Sequence, residues 1–157
     1  MCGIAGFVND MPIDVKCPVL KRMTDIIAHR GPDDEGHYID EHAALGHRRL
    51  SIIDLGGGKQ PIYNEDGSLV ITFNGEIYNY QPLREELVAA GHTFTTKSDT
   101  EVLLHGYEQW GVDLLQKIRG MFTFVIWDKN RRELFGARDH FGIKPFYYAK
   151  MNGTFMY

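Results

Sequence analysis

The sequence predicts an α+β fold with antiparallel sheets, and two observations indicate it. Predicted strands come first, then helices, then strands again, with no regular alternation of strand and helix. A hairpin-type turn at Asn152-Gly153 separates the last two apolar runs. With 157 residues, 43% of them hydrophobic, the chain has the length of one domain with a sizeable core.

The first half of the chain predicts strands around one helix. The apolar run at residues 3–8 is typical of a buried strand. Apolar residues at helical spacing predict a helix from about Pro18 to Ala28. The next stretch, "HRGPDDEG", is predicted to be a loop because of its proline and glycines. Two further strands are predicted in "AALGHRRLSIIDL", which ends near "GGG", and in "SLVITFNGEIYN", which runs into an Asn-Gly pair.

The second half predicts two helices and then strands. One helix begins near Pro82 and stops at Gly91, with a face made by Leu83, Leu87 and Val88. In "SDTE", Ser98 and Glu101 match a capping box, so a second helix starts there and runs to about Trp110. Strands follow in "MFTFVIWD", "RELFGARD", "PFYYAK" and "TFMY". The last of these has no turn signal after it, and we expect the sequence to be part of a longer protein.

Composition excludes several classes of function. The net charge is −4 and no basic cluster is present, which argues against a nucleic-acid or membrane partner. No apolar stretch approaches the roughly 20 residues of a membrane span, and no signal peptide is recognisable. Two cysteines, Cys2 and Cys17, make no disulfide framework, so we expect a reducing, cytoplasmic location.

Cys2 is a candidate nucleophile because it stands next to the chain terminus. Once Met1 is removed, Cys2 carries an α-amino group with a reference pKa of about 7.7–8.0, close to the value that suits a general base. Amine-assisted nucleophiles of this kind are known. The alternative is that Cys2 is an ordinary apolar core residue.

Asn74 and Gly75 are candidates for binding an oxyanion. The asparagine offers a side-chain NH₂, and glycine lets its backbone N–H face a ligand without a Cβ in the way. The alternative is that Asn74-Gly75 is simply a turn. It is followed by Glu76, an acid that a turn does not need.

Charged residues predict a site for an amino-acid substrate. Arg48 and Arg49 lie in one predicted strand and point to opposite faces, so one can grip a carboxylate while the other is solvated. The residues leave open which arginine does so. Glu76 and Asp99 could hold an ammonium group, although Asp99 could equally serve only its own helix start. The histidines show no metal-ligand spacing, and no metal site is predicted; they are residues 29, 37, 42, 47, 92, 105 and 140.

Eight motifs, in order, cover nearly the whole chain: "MCGIAGF", "HRGPDDEG", "GHRRLSIIDL", "QPIYN", "FNGEIYNY", "SDTEVLLHGYEQWG", "GMFTFVIWD" and "ARDHFGIKPFYY". Together they resemble the glutaminase domain of glutamine-hydrolysing asparagine synthetase, a class II glutamine amidotransferase of the N-terminal-nucleophile hydrolase superfamily. The resemblance implies a four-layer α-β-β-α sandwich of two antiparallel sheets.

The resemblance also implies residue roles. Cys2 matches the nucleophile, which attacks the glutamine side-chain amide, releases ammonia and leaves a thioester. Asn74 and Gly75 match the oxyanion hole, and Arg49 rather than Arg48 matches the residue that binds the substrate carboxylate. The remaining matches are substrate-binding positions: Leu50, Ser51, Ile52, Ile53, Glu76 and Asp99.

The resemblance sets expectations for partners and cofactors. L-glutamine is the substrate, and the partner is the synthetase domain of the same full-length chain, where ATP and magnesium act on aspartate. Residues 1–157 form the glutaminase domain alone, with no cofactor in this segment, and a homodimer is left open. The alternatives are a different ammonia acceptor or, if Met1 is retained, an inactive interface module.

Overall fold

The computed structural model describes residues 1–50 and 58–157 of the chain. They form two antiparallel sheets stacked face to face, with helix α1 packed on one outer surface and helices α2 and α3 on the other. This four-layer α-β-β-α sandwich confirms the predicted fold class. Its elements, in order, are β1 Gly3–Val8, α1 Ile13–Ile26, β2 Asp34–Ile39, β3 Ala43–Arg49, β4 Ile62–Tyr63, β5 Leu69–Ile77, α2 Tyr80–Ala89, α3 Asp99–Trp110, α4 Leu114–Lys117, β6 Gly120–Asp128, β7 Glu133–Arg138, β8 Ala149–Met151 and β9 Thr154–Met156.

The two sheets have orders β2-β3-β1-β9-β8 and β4-β5-β6-β7. Apolar side chains fill the three spaces between the four layers. Burial of each large apolar side chain stabilises the fold by about 1.5–3 kcal/mol. The deepest examples are Leu20 beneath α1, Leu45 and Trp127 between the sheets, and Leu103 and Phe124 beneath α3.

Helix α1 begins five residues before the predicted start at Pro18. Its first turn forms because the amides of Val15 and Lys16 donate to the Pro12 carbonyl. The buried Lys16 ammonium then donates to the carbonyls of Asp40 and Glu41, at 3.0 and 2.6 Å. These tertiary bonds outweigh the local cost of Pro18 inside the helix. Within the described parts of the chain, none of the helices is long and apolar enough to cross a membrane.

Two strand predictions were wrong in their extent. Residues 34–36, predicted to be loop, begin β2, because the chain there pairs antiparallel with β3. Strand β5 does not end at Asn74-Gly75 but continues to Ile77, paired throughout with β6. The Asn-Gly pair is therefore part of a strand, and the turn alternative is excluded.

The predicted helices α2 and α3 are present at the expected positions, but two details of their predictions were wrong. Ser98 caps α3 by accepting from the Thr100 amide, not from Glu101. The Glu101 carboxylate instead accepts the amides and hydroxyls of Thr95 and Thr96, so the reciprocal half of the capping box is absent there. Val88, predicted to face the core, is 53% exposed.

The predicted hairpin turn near the end of the chain is present. Asn152 and Gly153 both adopt positive φ, 51° and 79°, as a type I′ turn requires. It joins β8 to β9, so the predicted strand "PFYYAK" is a strand only from Ala149 onward. Strand β9 then pairs with β1 in the middle of the first sheet.

Candidate active site

A cavity of about 540 Å³ opens where four segments meet: the N-terminus, the end of β3, the second half of β5 and the start of α3. Seven of the predicted site residues border it. They are Cys2, Arg49, Leu50, Asn74, Gly75, Glu76 and Asp99. The three others, Ser51, Ile52 and Ile53, lie outside the described residues.

Backbone contacts on both sides hold Cys2 in place. The next residue, Gly3, pairs with Arg48 at the start of the β1–β3 ladder. The Cys2 carbonyl accepts a hydrogen bond from Arg30 Nε at 3.2 Å, and its Sγ lies 3.9 Å from the Leu50 carbonyl oxygen. The thiol is half-buried at the cavity wall, so a terminus that would normally fray is fixed here.

Met1 also borders the cavity, where the Lys144 ammonium lies 3.0 Å from its sulfur. While Met1 is attached, the nitrogen of Cys2 is an amide and cannot accept a proton. Removal of Met1 would place an α-amine on the same residue as the thiol.

Asn74 and Gly75 are held in position by the pairing of strand β5 with β6. Asn74 is buried at the cavity and makes no side-chain hydrogen bond to the described residues, so its amide is available to a ligand. A Cβ on Gly75 would lie only 2.2 Å from the Met121 carbonyl oxygen. Close approach of strand β6 therefore requires glycine at this position, in addition to any role of its N–H.

The two adjacent arginines of β3 point to opposite faces, as strand alternation predicts. The expectation that the other arginine is solvated was wrong, because Arg48 turns to α1, where its side chain is largely buried and its Nη2 lies 2.5 Å from Asp25 and 3.1 Å from Glu35. Arg49 borders the cavity, and its Nη2 lies 3.8 Å from the position of a Cβ on Gly58. The structure thus places Arg49, and not Arg48, where a substrate carboxylate could be bound.

Asp99 and Glu76 give the cavity a negative side. Asp99 Oδ2 accepts the Ile77 amide at 2.9 Å, which ties the first turn of α3 to the end of β5. Burial raises the pKa of Asp99, and the nearby Glu76 raises it further. A cationic group bound between these carboxylates would favour their charged forms and lower the pKa of Asp99.

Among the polar residues of this cavity that sequence reasoning missed are Gln60 and Lys144. The Gln60 side chain holds both backbone groups of Phe73, with its Oε1 2.6 Å from the amide and its Nε2 3.2 Å from the carbonyl. It thereby fixes β5 directly before Asn74. Both residues lie within recognised motifs, "QPIYN" and "ARDHFGIKPFYY", but nothing local indicates that they reach the site.

These groups form a complementary set. A guanidinium and two carboxylates could bind the two charged ends of an amino acid. A thiol and an amide donor could act on a carbonyl carbon of its side chain and on the oxyanion that forms there. The described cavity residues thus suit acyl transfer from a small zwitterionic substrate.

Comparison with known proteins agrees with this chemistry. The family described as "Glutamine amidotransferase domain" matches residues 1–157. Asparagine synthetase [glutamine-hydrolyzing] 1 of Bacillus subtilis (strain 168) is 52% identical over 97% of this chain and 24% of its own length. Asparagine synthetase [glutamine-hydrolyzing] 3 of the same organism is 44% identical over 100% of this chain and 26% of its own length. The chain thus spans about a quarter of these relatives.

Another relative and one solved structure extend the comparison. Amidase chry2 of Gibberella zeae is 40% identical over 95% of this chain and 24% of its own length. The structure of glutamine phosphoribosylpyrophosphate amidotransferase from B. subtilis, complexed with ADP and GMP, superposes with a TM-score of 0.77 at 20% identity. It covers 99% of this chain and 41% of that one, and it shows a shared fold.

Proposed function

The chain belongs to the glutamine amidotransferase domain family, and on that premise we propose that its cavity hydrolyses the side-chain amide of glutamine to glutamate and ammonia. One observation carries the proposal: Cys2, Arg49, Asn74 and Asp99, which are far apart in sequence, border a single cavity. Each supplies a different group that this reaction needs.

In the proposed mechanism, loss of Met1 frees the α-amine of Cys2. This amine accepts the thiol proton, and the thiolate attacks the amide carbon of glutamine. The Asn74 side chain and the Gly75 N–H stabilise the oxyanion. As the C–N bond breaks, the α-ammonium returns its proton to the leaving nitrogen, and ammonia departs. Water then attacks the thioester with the amine again as base, which releases glutamate and restores the thiol.

Substrate orientation is assigned to the charged side chains. Arg49 binds the α-carboxylate as a charge-assisted pair, and Asp99 with Glu76 binds the α-ammonium. The backbone carbonyl of Leu50 lies next to the Cys2 sulfur, which supports a role for Leu50 in substrate binding. We extend the same role to Ser51, Ile52 and Ile53 from the sequence alone.

We propose further that residues 1–157 are the glutaminase domain of a longer protein that uses the ammonia for ATP-dependent synthesis of asparagine from aspartate. The length of the curated relatives and their printed names support this. Three exposed aromatic residues, Phe141, Tyr147 and Tyr148, flank the cavity residue Lys144 and would suit contact with a synthetase domain. The relative named amidase chry2 supports a second candidate, the same glutaminase serving another acceptor.

A cytoplasmic location is part of the proposal, because a reducing compartment keeps Cys2 as a thiol.

Incubation of the full-length protein with glutamine, aspartate, ATP and magnesium should yield asparagine. Ammonia release without asparagine would favour the second candidate. Native mass spectrometry of the same sample would show whether the homodimer left open by the resemblance forms.

The primary test is glutamate release from glutamine by the processed chain and by Cys2→Ala. We expect the variant to be inactive, and we expect intact-mass measurement of the active protein to show that Met1 is absent. Equal rates for the two proteins, or activity with Met1 attached, would contradict the mechanism.

The two arginines provide a matched test of substrate binding. Arg49→Ala should raise KM for glutamine by roughly 10- to 100-fold, the worth of a charge-assisted hydrogen bond. Arg48→Ala should leave KM unchanged and lower thermal stability, because it removes the bonds to α1. An increase of KM in Arg48→Ala alone would reverse the assignment.

A further inference from the structure

We infer that Glu65, His92, His105 and Glu108 form a binding site for a divalent transition metal, and that Zn²⁺ is the ion that fits it. The four side chains come from three segments: the turn after β4, the connection after α2, and the second half of α3. Each turns one ligand atom to a common point, and these atoms lie within 4.8 Å of one another. None of the four borders the cavity described above.

Three of the four nitrogen–oxygen distances between these histidines and glutamates are close to the ligand spacing of tetrahedral coordination. His105 Nδ1 lies 3.4 Å from Glu65 Oε2 and 3.4 Å from Glu108 Oε2. His92 Nδ1 lies 3.5 Å from Glu108 Oε2 and 3.8 Å from Glu65 Oε1. In a tetrahedral Zn²⁺ site with bonds of about 2.1 Å, neighbouring ligand atoms are about 3.4 Å apart. Small rotations of the partly exposed glutamates would close the wider pairs.

The same distances are long for direct ion pairs. Charge-assisted hydrogen bonds between an imidazolium and a carboxylate are typically about 2.7–2.9 Å long. All four nitrogen–oxygen distances in the cluster exceed that range, and the 3.4 Å contact between His105 Nδ1 and Glu108 Oε2 is a weak hydrogen bond. The four ligand atoms are therefore close to one another without being tightly paired.

One of the two histidines has an outer partner of the kind found in metal sites. His92 Nε2 lies 3.0 Å from Gln109 Oε1, so this ring would carry its proton on Nε2 and leave the Nδ1 lone pair for an ion. Metal-ligating histidines usually donate their other N–H in this way. His105 Nε2 is buried without a hydrogen-bond partner among the described residues, and the Glu101 carboxylate lies 3.6 Å from it.

The glutamates are oriented by neutral donors. Glu65 Oε1 accepts the Thr93 amide at 2.9 Å, and Glu108 Oε1 lies 3.3 Å from Asn64 Nδ2. The other oxygen of Glu108, Oε2, lies near both histidines, whereas Glu65 presents Oε2 to His105 and Oε1 to His92. Two imidazole nitrogens and two carboxylate oxygens form a donor set that suits Zn²⁺ better than Mg²⁺ or Ca²⁺, which prefer oxygen ligands alone.

The predicted role of the ion is structural. It would join α3 to two connecting segments. One of these segments contains Glu65, which lies 43 positions before Glu108 in the sequence. The start of the same helix contributes Ser98, Asp99 and Thr100 to the cavity. An ion at the second half of α3 would therefore hold the helix that positions the candidate substrate site.

Zn²⁺ alone is the probe. Untagged protein with the substitutions Cys2→Ala and Cys17→Ser, which remove both thiols, is stripped with a chelator and titrated with Zn²⁺ by calorimetry. We expect one ion per chain, a rise in melting temperature on binding, and tighter binding as the pH rises from 6 to 8 because the imidazoles must be deprotonated. Co²⁺ in the same site should show the intense visible absorption of four-coordinate cobalt.

Matched variants decide the assignment. In the thiol-free background, Glu65→Gln and His92→Gln should each weaken Zn²⁺ binding more than tenfold, and Gln109→Ala by about tenfold. Glu86→Gln and His29→Gln, which make the same chemical changes outside the cluster, should bind as the parent does. Absence of stoichiometric binding by the folded parent, or unchanged affinity in both ligand variants, would overturn the proposal.

Discussion

Helix α3 runs between two polar regions, and the pKa of a buried histidine is shifted in opposite directions in the two regions. At its start lies the cavity, with His47 beneath it; in its second half lies the cluster that contains His105. Each of these imidazoles is 1% exposed. Burial lowers the pKa of His47 to about 4, whereas at His105 the carboxylates of Glu101, Glu65 and Glu108 outweigh burial and raise the pKa.

Because the two histidines are equally buried, their different partners account for the difference in charge. His47 faces a backbone carbonyl, that of Phe73, which a neutral Nε2–H satisfies. His105 faces carboxylates, which favour a positive centre, either a proton or a metal ion. His47 is therefore neutral, while the surroundings of His105 favour positive charge.

The largest expected effect tests the cavity. Asn74→Ala should lower kcat for glutamine hydrolysis about a hundredfold or more, because loss of one oxyanion donor typically costs about 2.7–4 kcal/mol. Asn79→Ala is the control: among the described residues its side chain bonds to the backbone at Lys117 and Arg119 and to nothing in the cavity, so the variant should lower stability and leave kcat unchanged. Steady-state kinetics on both variants would check this. Similar kcat values for the parent and Asn74→Ala would remove Asn74 from the mechanism.

The next prediction concerns the neutral histidine beneath the cavity. The unfolded chain binds a proton at His47 near pH 6.5, but the folded chain does so only near pH 4. The stability that neutral His47 contributes is therefore present above pH 6.5 and is lost as the pH falls toward 4, by about 3 kcal/mol in all. Urea unfolding of the parent, His47→Gln and the exposed control His29→Gln at several pH values would measure it.

His47→Gln should flatten the acid side of the stability profile, because the variant side chain does not titrate. His29→Gln should keep the parental slope. If His47→Gln and the parent lost stability in parallel below pH 6.5, the acid sensitivity would come from other groups, and the contrast between the two histidines would have no consequence for folding.

The cavity could be predicted from sequence much better than the cluster. Cys2, Asn74-Gly75 and Asp99 each belong to a local motif whose residue types suggest one chemistry, and the family resemblance joins the motifs. The resemblance had already chosen Arg49 over Arg48, and the structure added that Arg49 borders the cavity and that the Asn-Gly pair is in a strand. The roles themselves remain predictions until variants are measured.

The cluster has no local signature. His105 and Glu108 are one turn apart on α3, but His92 and Glu65 come from two connecting segments, and only the packing of these segments against α3 brings the four residues together. The expectation of no metal site rested on spacing along the chain, which cannot detect such a site. The missed start of α1 has a similar origin, since distant carbonyls at Asp40 and Glu41 stabilise it.

The smallest effects are expected from one substitution at each end of α3, which together test whether the two ends act independently. Ser98→Ala removes the cap at the cavity end and should cost about 1 kcal/mol, or roughly 2–4 °C in melting temperature. Gly111→Ala, at the other end, places a side chain at φ 58° and ψ −136°, a conformation that glycine almost alone adopts, with open space around it, so backbone strain alone should cost about 1–3 kcal/mol. Only Ser98→Ala should also raise KM for glutamine, because Ser98 precedes Asp99 at the cavity wall. An equal rise of KM in both variants would mean that the helix responds as one rigid unit and that its two ends are not independent.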